Sequence, residues 1–168
     1  MTVKHTMQRG FSLIELLVVF SIIGILSTVS IAGFSEYNRD RQLTSATAEF
    51  VSVLQQAKAR TQSQVKPSSC STAPLNGYEV RVCGLSSSTC APENTYELYV
   101  SCGGTKQFVA SHELSNGVTT VQDGTTSTVF FFQVLTGGVS GQGNVVFSGA
   151  GQRMKTVTVT NNGAISFQ

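Results

Sequence analysis

An almost uncharged apolar run over residues 11–34 constrains this chain more than any other feature. Glu15 is its single charged side chain. At about 1.5 Å per helical residue, a helix over this run reaches about 36 Å, enough to cross a hydrocarbon core of about 30 Å. A carboxylate in a bilayer costs on the order of a few kcal/mol unless it is paired. The run therefore predicts a transmembrane or assembly helix in which Glu15 is a functional residue.

A partner for Glu15 arises if the chain is cut between Gly10 and Phe11. The cut creates an α-amino group at Phe11, which is largely positive at neutral pH because its unperturbed pKa is about 7.7 to 8.0. Glu15 lies one helical turn from this amine, and it can equally face the amine of a neighbouring subunit. Pairing with either amine would offset the cost of a buried carboxylate.

The apolar run over residues 11–34 also allows two simpler interpretations. A plain secretory signal peptide would be cut near the sequence Ser30-Ile31-Ala32, but the run exceeds a usual signal and Glu15 has no role in one. An uncleaved single-pass anchor would keep Lys4 and Arg9 in the cytoplasm. This second interpretation gives the same topology and differs only in the mature N-terminus.

The residues around the proposed cut resemble the class III signal of type IV pilins and type II secretion pseudopilins. The resemblance is carried by a basic leader (1–10), then Gly10, Phe11, Ser12, Leu13, Ile14, Glu15 and the apolar tail 16–26. It implies that a prepilin peptidase removes the leader and N-methylates Phe11, and that Glu15 helps to register subunits in a helical filament. The chain departs from the family at Ala32 and Gly33, where major pilins commonly carry a proline.

Charge gives no support for a general nucleic-acid-binding surface. The chain has eleven Lys and Arg residues against nine Asp and Glu. Two of the basic residues, Lys4 and Arg9, lie in the leader, so the remaining nine balance the nine acids. A neutral mature chain has no overall basic field to attract nucleic acid.

Residues 35–66 are predicted to continue the helix in amphipathic form. Apolar residues recur at three- and four-residue steps, at Leu43, Ala46, Phe50, Leu54 and Ala57. Such a stripe requires a cover. The remainder of the chain can supply it, and a short coiled-coil partner is the alternative.

Residues 67–168 are predicted to form a β-rich globular domain, which gives an α+β fold. Residues 66–77 look like a linker, residues 137–143 like a glycine-rich loop, and Asn161-Asn162-Gly163 like a tight hairpin turn. The predicted strands are 78–83, 96–102, 107–114, 117–121, 129–135, 144–147, 155–160 and 164–167.

The four cysteines are predicted to form two disulfides. An even number of cysteines, all beyond the membrane segment in an oxidising compartment, favours disulfides. A zinc site is less favoured, because the cysteine spacing contains no C-x-x-C pair. Antiparallel pairing of 78–83 with 96–102 brings Cys83 near Cys90, and Cys70 near Cys102. Three connectivities are possible, and this nested one is preferred.

The layout of long helix, cysteine-bearing loop, about seven strands and final hairpin resembles the GspH/FimT group of minor pilins and pseudopilins. This resemblance implies a pilin-like fold and a structural subunit that acts in filament initiation or at the tip, and in protein secretion. The implied partners are other pilin or pseudopilin subunits, prepilin peptidase and an inner-membrane assembly platform. The implied location is the inner membrane, single-pass, with a periplasmic C-terminal domain, and then the filament.

No enzyme constellation or cofactor motif is recognised, and His112 is predicted to be a surface strand residue. The alternative function is a minor pilin that binds DNA for natural transformation. It would use Arg153 and Lys155, two cations predicted at a loop tip, for salt-dependent phosphate contacts. An ordinary solvated hairpin is the simpler explanation of the same residues.

Overall fold

The computed structural model describes residues 11–84, 92–115, 117–121 and 128–168. They divide into two units, one ending at Asn38 and the other comprising Arg39–Gln168. A single helix, α1 (Leu13–Gln62), contributes residues to both units. The helix predicted for residues 11–66 is therefore present, with slightly narrower limits.

The ends of α1 follow from local backbone chemistry. At the start, the Ser12 carbonyl accepts hydrogen bonds from the amides of Glu15 and Leu16. At the end, Gln64 has a φ of 51° and the Val65 amide donates to the Arg60 carbonyl at 2.9 Å. A left-handed residue followed by this longer-range bond is a common way to satisfy the last carbonyls of a helix.

The described residues contain nine strands in two antiparallel sheets. The five-stranded sheet has the order β3-β2-β1-β5-β6, and the four-stranded sheet has the order β4-β7-β8-β9. The strands are β1 (Leu75–Cys83), β2 (Thr95–Cys102), β3 (Thr105–Glu113), β4 (Thr119–Val121), β5 (Val129–Gln133), β6 (Val139–Ser140), β7 (Gly143–Gly149), β8 (Arg153–Val159) and β9 (Ile165–Phe167). A helix with antiparallel sheets confirms the predicted α+β, pilin-like fold class.

The core lies within the Arg39–Gln168 unit, where α1 from Arg39 onward packs on both sheets. Phe50 occupies the centre of this core. The Phe50 ring lies 5.3 Å from the Tyr96 ring and 6.5 Å from the Phe130 ring, both in the five-stranded sheet. It also lies 5.2 Å from the Phe147 ring in the four-stranded sheet. The stripe predicted from the sequence faces this core, with Leu43, Ala46, Phe50, Leu54 and Ala57 all buried.

One predicted disulfide is present and the other falls partly outside the described residues. Cys70 and Cys102 are bonded, with their Cα atoms 5.8 Å apart. The pairing of β1 with β2 produces this proximity, because Leu75 lies opposite Cys102. Cys83 is also disulfide-bonded, and its predicted partner Cys90 lies outside the described residues.

The glycine-rich run 137–143 differs from its prediction as a loop. It contains β6 (Val139–Ser140), which pairs with β5 through Phe132 opposite Val139. The Val139 amide also donates to the Asn161 carbonyl at 3.0 Å. The partner Asn161 is distant in sequence, so local composition gave no sign of this contact.

Two buried tyrosines are expected to respond oppositely to loss of the hydroxyl group. The Tyr78 hydroxyl donates to the Val65 carbonyl at 2.8 Å, so Tyr78→Phe should lower the free energy of unfolding by about 1 kcal/mol. The Tyr96 hydroxyl is buried and makes no hydrogen bond of ordinary geometry within the described part of the chain. Tyr96→Phe should leave the free energy unchanged or raise it by up to about 1 kcal/mol, as urea denaturation of the two variants would measure.

The same Tyr96 variant should alter unfolding at alkaline pH. Burial, with a smaller contribution from the nearby Glu49 carboxylate, raises the pKa of Tyr96 well above its ordinary value. The folded state therefore keeps this proton above pH 10, whereas the unfolded state releases it, so stability falls as the pH rises past about 10. Tyr96→Phe should weaken this alkaline decline, and an unchanged decline would contradict the assignment.

Candidate functional site

The candidate site is the start of α1, where an exposed apolar surface carries one acid. Phe11 and Ser12 precede the helix, and Glu15 lies in its first turn. The Phe11 side chain is 78% exposed. Gly10, the residue before the proposed cut, lies outside the described residues.

The apolar side chains that follow are all exposed in the isolated chain. They are Leu13, Ile14, Leu16, Leu17, Val18, Val19, Phe20, Ile22, Ile23, Ile25 and Leu26. A helix that is apolar around its whole circumference is stable only when an apolar environment or other helices cover it. This surface is therefore built to be covered by something outside the folded chain.

Two serine hydroxyls on this surface form hydrogen bonds within the helix. The Ser21 hydroxyl donates to the Leu17 carbonyl at 2.6 Å, and the Ser27 hydroxyl donates to the Ile23 carbonyl at 2.7 Å. These bonds hide the hydroxyl donors from an apolar environment. The ion pairs Arg81–Glu79, Lys106–Glu79, His112–Glu49 and Arg153–Asp40 all lie away from Glu15 in the sequence and belong to the Arg39–Gln168 unit.

The prediction that residues 11–34 cross a membrane is not confirmed by the structure. Within the described residues, no helix meets the combined length and apolarity that a membrane span requires.

The predicted DNA-binding pair is not a free cationic loop tip. Arg153 and Lys155 belong to β8, beyond the turn, and Lys155 is half-buried opposite Phe147. The Arg153 guanidinium bonds the Asp40 carboxylate on α1 at 3.0 Å. The Asp40 carboxylate partly neutralises the positive charge of Arg153 that would attract a phosphate. The structure therefore does not favour the DNA-binding alternative.

His112 lies half-buried on β3 and contacts structural neighbours. Its ring stacks on the Tyr96 ring with centroids 5.1 Å apart, and Nδ1 lies 3.7 Å from a Glu49 carboxylate oxygen. These contacts link the edge strand β3 to α1. In the described part of the chain, no cluster of three His, Cys, Asp or Glu residues suits a metal ion.

A buried charge cluster on the five-stranded sheet was missed by the sequence analysis. Glu79 and Arg81 alternate with apolar residues along β1, and the charged side of an alternating strand commonly faces solvent. Glu79 is instead only 2% exposed and bonds both Arg81, at 2.9 Å, and Lys106, at 2.6 Å. Arg81 also lies 4.9 Å from the centre of the Tyr99 ring, so long side chains from neighbouring strands cover the carboxylate.

Comparison with known proteins places the similarity at this N-terminal site. Residues 5–31 match the family profile of the prokaryotic N-terminal methylation motif. The chain is 46% identical over 50 residues to a fimbrial protein of Pseudomonas aeruginosa, covering 30% of this chain and 32% of that protein. It is 40% identical over 42 residues to the type IV major pilin protein PilE1 of Neisseria gonorrhoeae, covering 25% of this chain and 26% of the relative.

The match spans about a third or less of the length of these curated relatives. No solved structure matches the chain. The comparisons confirm the resemblance to the type IV pilin family, and the finer GspH/FimT assignment stays a prediction. The chain carries the N-terminal methylation motif over residues 5–31 and is similar to type IV pilins over at most about a third of its length.

Proposed function

We propose that this chain is a minor pilin or pseudopilin, a structural subunit of a type IV pilus or of a type II secretion pseudopilus. One observation carries the proposal. A single carboxylate, Glu15, stands on an exposed apolar helix surface inside the methylation motif. Such a surface must be covered, and such an acid needs a cation, so packing against other processed subunits meets both needs.

The proposed processing follows from the position of the motif. Prepilin peptidase removes residues 1–10 and methylates the new amino terminus at Phe11. Residues 11–34 then hold the subunit in the inner membrane as a single pass, with the C-terminal part in the periplasm. An inner-membrane assembly platform would move the subunit from the membrane into the filament.

The rest of the chain has the character of a structural domain displayed outside the cytoplasm. Residues 35–66 supply the amphipathic part of the helix, and residues 67–168 supply the sheets. The Cys70–Cys102 disulfide suits an oxidising compartment. In this role the subunit acts by packing with others, in filament initiation or at the tip, and thereby supports protein secretion.

The cleavage step gives a direct test of the proposal. Replacing Gly10 with a bulkier residue, as in Gly10→Leu, should block removal of the leader, because the peptidase must accommodate the residue before the cut. Intact-mass measurement of the protein from its host should then show the full chain with residues 1–10 retained. The wild-type protein should show only the shorter, methylated form.

Val3→Ala is the matched control, since it alters the leader outside residues 5–31, the part that matches the motif. This variant should be processed as the wild type is. A mature-sized product from Gly10→Leu, or a retained leader in the wild type, would contradict the proposed cleavage site.

A further inference from the structure

The five-stranded sheet carries a cavity on the side that faces away from α1. Successive side chains of a strand point to opposite faces of the sheet. Glu79 lies between Tyr78 and Val80, which belong to the core against α1, so Glu79 points to the other face. The cavity lies over that face, since Glu79 lines it, and its volume is ≈ 540 Å³. Small-molecule sites in proteins commonly measure about 300–1,000 Å³.

A single row of paired residues crosses all five strands at this cavity. In the order of the sheet, the row consists of Phe108, Tyr99, Glu79, Phe131 and Ser140. Residues directly opposite each other in paired strands have their side chains on the same face. The row therefore places one carboxylate between two aromatic side chains, Tyr99 and Phe131, and the cavity extends over its Phe131 end.

Positive charge dominates what the cavity presents to an incoming molecule. Glu79 bonds Arg81 at 2.9 Å through one oxygen and Lys106 at 2.6 Å through the other. Glu97 lies opposite Arg81 in register, so the two acids and the two cations of this cluster balance. The Glu79 side chain is only 3% exposed, whereas the Lys106 side chain is 49% exposed. A ligand would therefore meet the Lys106 ammonium and not the carboxylate.

Two further polar side chains, Asn76 and Ser101, line the cavity beside Lys106. The Asn76 side-chain oxygen accepts a hydrogen bond from the Gly104 amide at 3.1 Å, which leaves the Asn76 NH₂ group as a donor. Ser101 adds a hydroxyl group. An ammonium, an NH₂ group and a hydroxyl can all donate to one carboxylate, which has two acceptor oxygens. Hydrogen bonds from a cation to a carboxylate are about twice as strong as neutral ones.

The opposite wall of the cavity is apolar. It is formed by Val129 and Phe131 of β5, both half-buried. Gly77 gives the Phe131 ring its place, because a Cβ atom at this position would lie 2.9 Å from that ring. The strand β1 thus has no side chain where the ring lies. This wall suits an aromatic or branched apolar group.

The core against α1 does not account for this arrangement. Glu79 and its two cations lie on the opposite face of the sheet, and buried ion pairs are often no more stabilising than apolar residues of similar size. A cavity with an apolar wall and a few converging polar groups is the usual form of a ligand site.

We propose that this cavity binds an organic carboxylate with an apolar body. The carboxylate accepts hydrogen bonds from Lys106, Asn76 and Ser101, and the apolar body packs on Phe131 and Val129. None of these residues belongs to the N-terminal motif, so the inference goes beyond the proposed function and does not depend on removal of the leader.

Titration of the full chain in detergent micelles tests the proposal. The probe is 3-phenylpropionate, and 3-phenylpropanamide is its uncharged counterpart with the same apolar body. The amide signals of ¹⁵N-labelled glycines report binding, since Gly104 and Gly141 border the cavity. The acid should shift both signals with a Kd of about 1 mM. The uncharged counterpart should bind about tenfold more weakly.

Two variants connect the shifts to the cavity. Lys106→Met should weaken binding of the acid about tenfold, because it removes the charge and nearly keeps the length of the side chain. Lys66→Met, at an exposed lysine outside the cavity, is the matched control and should bind as the wild type does. Ser140→Trp fills the cavity from its exposed rim and leaves the ion pairs of Glu79 in place, so it gives a second measurement if Lys106→Met unfolds. It should abolish the shift of Gly104.

Four results would contradict the proposal. They are equal binding of the acid and its uncharged counterpart, a Gly104 shift that persists in Ser140→Trp, equal losses in Lys66→Met and Lys106→Met, and no shift at acid concentrations well above the expected Kd.

N-acetylphenylalanine separates two sources of such a carboxylate, because it carries the amide bond of a peptide C-terminus. Tighter binding than that of 3-phenylpropionate would identify the end of a polypeptide as the ligand. Weaker binding would identify a small organic acid, and both results support the proposed chemistry.

Discussion

Glu15→Gln is expected to reduce incorporation into filaments at least about tenfold while the protein remains in the membrane. The substitution preserves the size of the side chain and removes its charge, so the apolar surface is unchanged. Under the proposed function, the substitution removes the pairing with a Phe11 amine that would fix the axial position of a subunit. Quantifying the protein in sheared filament fractions and in membrane fractions would measure the two effects separately.

The matched control is Glu36→Gln, a second exposed acid on α1 that lies outside the apolar run. This variant should assemble as the wild type does, because a surface carboxylate contributes little. Glu15→Asp should restore part of the assembly, since it returns the charge on a shorter side chain. Normal incorporation of Glu15→Gln would show that the carboxylate has no role in assembly.

Phe50→Ala is expected to lower the free energy of unfolding by about 3–5 kcal/mol, the largest effect of any single core substitution here. Phe50 is fully buried and its ring contacts rings from both sheets. Removing it leaves a cavity at the place where the helix and the two sheets meet. Urea denaturation of the full chain in detergent, followed by far-UV circular dichroism, would measure the loss.

Phe108→Ala provides the comparison for an aromatic residue on the surface. Phe108 is 58% exposed and contacts only the edge of the Tyr99 ring, at 5.8 Å between centroids, among the described aromatic pairs. The expected loss is about 1 kcal/mol or less. Similar losses for the two variants would mean that Phe50 does not join the layers of the core.

Local patterns predicted the helix and the individual strands well. The three- and four-residue spacing around Phe50 identified the buried face of α1, because helical periodicity is a short-range property. Alternation along residues 78–83 and 96–102 identified the two strands β1 and β2 for the same reason. The antiparallel pairing of these two strands also led to the Cys70–Cys102 bridge.

Features that depend on distant residues were not predictable from the sequence. The strand β6 exists because Val139 meets Phe132 and Asn161 in space. The division into two sheets depends on how β4 and β7 pair, which no local pattern specifies. Burial of Glu79 depends on Lys106 of another strand, a contact that no local pattern along β1 specifies.

In the candidate sites, too, linear motifs were visible in the sequence and contacts between distant residues were not. Gly10, Phe11 and Glu15 were singled out from the sequence because the methylation motif is a linear pattern, and their roles in cleavage and assembly stay predictions. Arg153 and Lys155, predicted at a loop tip, lie in β8 directly after the turn, and the bond from Arg153 to Asp40 was not predictable because Asp40 is remote in sequence.

The identity of the mature amino terminus tests the central claim most directly. The protein is purified from its host, digested, and its N-terminal peptide is sequenced by mass spectrometry. The account predicts a peptide that begins at Phe11 and carries one added methyl group on its amine. A peptide that begins at Met1, or after Ala32, would contradict processing as a pilin and with it the pairing of Glu15 with a new amine.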